Sequence, residues 1–117
     1  MSKKVIPPVH PGETLMEDLM KPLGLSRKRL AQALGVDGRR INEIVSGRRS
    51  ITGDTALRLA RYFGTSPEFW MNLQARYDLE TAKDKKLEEI QRTVKPRSAS
   101  DYSPQRREDS QQAADPA

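Results

Sequence analysis

The run from Ser26 to Arg49, SRKRLAQALGVDGRRINEIVSGRR, leaves few ways to fold. Ser26 is suited to cap a helix, because its hydroxyl accepts a backbone N–H that the first turn leaves unpaired. Leu30, Ala31 and Leu34 then form a narrow apolar stripe, with the small Ala31 where a second helix must cross closely. Gly35 stands where a left-handed terminating residue is wanted, and Val36 supplies the hydrophobic contact that often follows one. Asp37 is a good cap for a second helix and complements its positive N-terminal end. There Ile41, Ile44 and Val45 face inward at i, i+3 and i+4, and Gly47 ends the helix. The stretch reads as two short helices joined by a tight turn.

The outward side of the second helix is polar and basic. Arg39, Glu43 and Ser46 lie opposite the isoleucines, flanked by Arg40 and Asn42, with Arg48 and Arg49 just beyond Gly47. An arginine can fork to the O6 and N7 of guanine, and an asparagine can pair with adenine N6 and N7, so this helix is suited to a DNA major groove. Arg48 and Arg49 are better placed for phosphate. The bland alternative is a surface helical hairpin with a solvated basic face. Charge placement weighs against it. Between Arg27 and Arg61 nine Lys or Arg face three acids, whereas Ser66 to Lys95 holds six of each sign. Thus the central segment carries the whole basic excess of a chain with net charge +5.

At 117 residues the chain suits one small domain with a tail. The absence of cysteine excludes disulfides and thiolate metal sites, and permits a reducing cytoplasm. No apolar run is long enough to span a membrane, and Pro7, Pro8 and Pro11 interrupt the sole N-terminal signal candidate, so a cytoplasmic protein is expected. No nucleophile–base pair, metal-ligand cluster or Gly-rich phosphate loop is present, which argues against an enzyme, a metal or a cofactor.

Residues 1–11 read as an extended arm, because proline disfavours helix at and before itself. His10, the sole histidine, is expected to pack or hydrogen-bond at the start of the next helix. That helix should run from about Gly12 to Met20 with Leu15, Leu19 and Met16 inward, stopped by Pro22 and Gly24. Thr52 caps a fourth helix that buries Ala56, Leu59, Ala60 and Phe63, and Gly64 closes it. Ser66-Pro67-Glu68 opens a fifth. These make an all-α, five-helix domain over 12–81. The fifth helix holds so much aromatic area that part of Phe69, Trp70, Leu73 and Tyr77 is expected at a two-fold dimer seam, the alternative being that all complete the core. A homodimer would place two recognition helices about 34–36 Å apart. Residues 82–94 are charged and helix-prone, either extending the fifth helix or forming a separate one. Residues 95–117 have little to bury and should be disordered.

VHPGETLMEDLMKPLGLS, RLAQALGV, RINEIVSGRRSIT and DTALRLARYFGTSPEFWMNLQARYDLETA resemble the HigA-type antitoxins of bacterial toxin–antitoxin modules, within the lambda-repressor-like helix-turn-helix superfamily. The resemblance covers about Pro8 to Ala82. HPGE before the first helix and TSPEFWMNLQ at the fifth make it narrow, because the central portion is generic to many repressors. It implies a five-helix domain, dimerisation, binding to a double-stranded operator, autorepression, and neutralisation of a HigB-like ribonuclease toxin. A solitary regulator without a toxin is the alternative. Carried onto this chain, it implies base-facing positions at Arg39, Arg40, Asn42 and Glu43, where Glu43 can accept from cytosine N4 or equally steer its i, i+4 neighbour Arg39. Contacts to the DNA backbone would fall to Arg27, Lys28, Ser46, Arg48 and Arg49.

Overall fold

The helix boundaries are set by side chains that satisfy orphaned backbone groups. In the computed structural model, which describes residues 7–98, the Ser26 hydroxyl accepts from the Arg29 N–H at 3.1 Å. Asp37 accepts from the Arg39 N–H at 3.2 Å, and Ser66 from the Phe69 N–H at 3.1 Å. Among the described residues the result is five helices. They are α1 (Pro11–Thr14, Leu15–Met20 and Lys21–Leu23 in unbroken succession), α2 (Arg27–Leu34), α3 (Gly38–Val45), α4 (Gly53–Phe63) and α5 (Pro67–Thr93). The expected all-α class holds. Residues 1–6 of the expected arm and 99–117 of the expected disordered tail lie outside the described residues.

α1 departs from expectation. Pro22 does not stop it, and the helix continues to Leu23 before Gly24 turns left-handed at φ 64°. Leu15–Met20 is wound as a π-helix, with the Lys21 N–H donating to the Met16 carbonyl five residues back. In a regular α-helix the Pro22 ring would crowd the carbonyl four residues earlier, and the wider winding just ahead of it relieves that clash. The same winding brings Leu15 and Met20 onto the core side, both fully buried. Leu19 and Met16 also face inward as expected, partly buried against the core.

His10 caps α1 as its position suggests. Its Nδ1 accepts from the Gly12 N–H at 2.9 Å, and its ring meets Tyr77 edge-on with centroids 4.8 Å apart. Gly12 itself is buried against α3. A Cβ added there would stand 1.8 Å from the Ile44 carbonyl oxygen, so α1 and α3 touch backbone to backbone. Around this contact Leu15, Met20, Leu30, Leu34, Ile41, Ile44, Ile51, Leu59 and Trp70 form the core.

α5 corrects the place of Trp70 in the expected dimer seam. Trp70 is 0% exposed in the single chain, and its Nε1 donates to the Thr65 hydroxyl at 2.8 Å. It is core, with no surface left for a seam. Leu73 packs half-buried against the core, and Tyr77 is half-buried beside His10. Phe69, at 40% exposure, is the exposed member of the four. One turn further on, the buried Gln74 takes its Oε1 to the Ile51 N–H at 2.7 Å and donates from Nε2 to Asp78 at 2.9 Å. That bond satisfies an N–H in the connection between α3 and α4 that would otherwise be stranded in the core. α5 runs unbroken through 82–93, the first of the two possibilities for that segment. The chain divides into two units between Leu87 and Glu88. In the second, the Val94 N–H donates to the Ile90 carbonyl at 2.8 Å, and the Thr93 hydroxyl to that of Glu89 at 3.0 Å.

Two predictions follow from α1. Gly12→Ala should lower unfolding free energy by about 2–3 kcal/mol. Gly38→Ala, where the same methyl group meets open space, should be neutral or mildly stabilising; urea titration of both variants checks the contrast. The second concerns His10, whose pKa is held below its ordinary 6.5 by burial, against an opposing pull from Asp78. A depressed histidine is neutral in the fold while the unfolded chain still protonates at 6.5, so stability is full above that pH and falls as pH drops toward the folded value. A Tm series through that range should show the loss in the wild type and not in His10→Asn, which keeps an acceptor and does not titrate.

Candidate nucleic-acid interface

α2 and α3 form one rigid corner. Gly35 is left-handed at φ 70° and its N–H donates to the Gln32 carbonyl. The Val36 N–H donates to the Ala31 carbonyl at 3.0 Å. Arg58 reaches across from α4 and donates from Nη1 to the Leu34 carbonyl at 2.8 Å, capping the C-terminal end of α2 with a positive charge. Ile41 and Ile44 anchor α3 from below, both fully buried.

This corner fixes which side chains face outward. Arg39 and Asn42 are exposed on α3, and the Arg39 side chain is 74% exposed. Arg27, Lys28 and Gln32 of α2 share with Asn42 an open groove of about 460 Å³ floored by Ala31 and Val36. The structure therefore brings Arg27, Lys28 and Asn42 together. Arg48 and Arg49 stand exposed on the turn after α3, where Gly47 takes φ 81°. The Arg48 guanidinium makes no ion pair among the described residues.

Three expected site residues are placed differently. Arg40 is not directed at a base-reading position. Its side chain, 28% exposed, crosses to the start of α4 and meets Asp54 at 2.6 Å and the Thr55 hydroxyl at 3.2 Å. It lies about 100° around the helix from Arg39, which turns it toward the neighbouring helix. Glu43 does not present free lone pairs to a base, because its carboxylate is engaged by Arg49 at 2.8 Å and by Arg39 at 3.4 Å. Ser46 spends its hydroxyl proton on the Asn42 carbonyl at 2.7 Å, closing α3.

Asp54 and Arg58 were absent from the expected site. Asp54 accepts from both Arg58 Nε at 2.9 Å and Arg40, so it ties α3 to the residue that caps α2. These bonds, Arg58 first and Arg40 second, hold its carboxyl below the usual 3.8. The i, i+4 spacing of Asp54 and Arg58 was a readable signal, whereas the Arg40 contact spans residues far apart in sequence.

A helix-turn-helix family model matches residues 16–70. Virulence-associated protein I of Dichelobacter nodosus is 54% identical over 84 residues, covering 72% of this chain and 78% of that protein. An addiction module antidote protein of a HigA family from Coxiella burnetii superposes with a TM-score of 0.74 at 47% identity, over 79% of this chain and 100% of that one. Pseudomonas aeruginosa antitoxin HigA, solved with the higBA promoter, gives 0.74 at 43% identity, over 76% and 97%.

Asp54 generates an acid-side prediction. Because its folded pKa is depressed, the stability it contributes is present above 3.8 and is lost as pH falls through the folded value, the unfolded carboxylate having protonated first. Thermal unfolding between about pH 4 and pH 2 should decline less steeply in Asp54→Asn than in the wild type.

Proposed function

The chain belongs to the HigA-type antitoxins of the helix-turn-helix superfamily, and on that premise we propose that it is a cytoplasmic homodimer that binds a double-stranded operator, represses its own operon and neutralises a HigB-like ribonuclease toxin. It acts by binding and not by catalysis. We place the DNA-binding domain at 12–81, with the remainder of α5 as a charged extension of the same helix.

The observation that carries the DNA part is the pairing of buried Ile41 and Ile44 with exposed Arg39 and Asn42 on the same short helix. One face locks α3 to the protein while the other offers a guanidinium and a carboxamide at major-groove spacing, the two side chains suited to guanine and adenine edges. Arg27, Lys28 and Arg48 surround that face and serve phosphate, which positions the protein without reading sequence. Arg40, bound to Asp54, steadies α3 against α4. In the dimer, Phe69 is the exposed one of the four expected seam residues and is suited to meet a second copy. The relative solved with its promoter supports the operator assignment. The toxin assignment rests on family membership.

Footprinting upstream of the gene, with and without the neighbouring gene's product, tests both parts; failure to co-purify with that product would leave a solitary regulator. In the same assay Arg39→Ala should cost about 1–3 kcal/mol at the operator and relax preference at one base pair. By contrast, Arg48→Ala should weaken all duplexes alike and reduce the salt slope by about one.

A further inference from the structure

The surface assigned to DNA carries an acid at its centre. Glu43 lies between Arg39 and Arg49, its side chain 26% exposed. Its Oε1 accepts from Arg49 Nε at 2.9 Å and stands 2.8 Å from Nη2, while Oε2 lies 3.4 Å from Arg39 Nε. The backbone builds this arrangement. The N–H groups of Arg48 and Arg49 converge on the Glu43 carbonyl at 2.8 and 3.2 Å, folding the turn back so that the Arg49 side chain arrives beside the carboxylate. The Arg49 pair is the tighter one, shorter and less exposed at its arginine end than the Arg39 pair. Together the three side chains carry one net positive charge instead of two.

We propose that Glu43 is a positioning residue that sets DNA specificity: it tethers Arg49 away from phosphate on arbitrary duplex while aiming Arg39 at a base edge. This rests on the DNA-binding reading above. Sequence-independent affinity grows with the number of phosphates neutralised, each adding about 0.9 to the salt slope. An arginine already paired with a carboxylate must exchange one anion for another to reach phosphate, so its contribution on random DNA largely cancels. The quantity that decides occupancy in a genome is the ratio of specific to non-specific binding. A carboxylate that lowers the denominator and orients the reader in the numerator improves that ratio from both sides.

The test compares the footprinted operator with a scrambled duplex of equal length, by fluorescence anisotropy across a salt series. Glu43→Gln, nearly isosteric, should tighten binding to the scrambled duplex roughly tenfold and steepen its salt slope by about one. Operator affinity should not rise, so the ratio should fall at least about tenfold. In an Arg49→Gln background the gain on the scrambled duplex should shrink well below tenfold, to what release of Arg39 alone contributes. Glu43→Ala, which leaves no amide to pair with either arginine, should reproduce the result should the Gln variant fold poorly. An equal gain in the Arg49→Gln background would overturn the proposal, because the effect would then be bulk charge. So would an unchanged scrambled-duplex affinity with altered preference at one operator base pair, the mark of a direct reader. A wild type with no salt-dependent binding to either duplex would instead defeat the DNA-binding reading itself.

Discussion

The Ile44 carbonyl resting against Gly12 is the contact that orients the reading surface. Most helix pairs meet through side chains, which can shift rotamer and let the axes drift. Here main chain meets main chain, and the position tolerates no Cβ. α3 is held from beneath by this contact and by Ile41 and Ile44, and from the side by Arg40 on Asp54. A recognition helix seated this way offers Arg39 and Asn42 in a fixed frame, which is what selective hydrogen bonding to base edges demands.

Much of this was legible because the signals were local. Ser26, Asp37 and Ser66 cap the helices their side chains announce, and Gly35 closes α2 as its position implies. His10 also took the local role expected of it. What escaped the sequence was decided across space. Arg39 and Arg40 are adjacent and chemically identical, yet the helical step between them separates solvent from the carboxylate of Asp54. Periodicity gives a face and not a depth, and on α5 Trp70 is fully buried while Phe69, on the same helix, is exposed. The π winding of α1 has no residue signature of its own, and only the passage through Pro22 hints at it. Gln74 carries no local sign that its amide is buried on the Ile51 N–H.

Gln74 also ties α5 to the connection between α3 and α4. Its Oε1 holds the Ile51 N–H, two residues after Arg49, while its own helix carries the exposed Phe69. The connection after the arginine turn is thus tied to α5 by a buried hydrogen bond.

The Asp54 carboxylate, shared by Arg40 and Arg58, makes the fold's polar positions interdependent. Exchanging residue 40 would disturb the cap on α2 as well, because the same oxygen serves both guanidiniums. Positions 39 and 42 have no such entanglement with α4. Residues 39 and 42 can therefore be exchanged without touching that carboxylate, whereas a change at 40 reaches Asp54 and Arg58 as well.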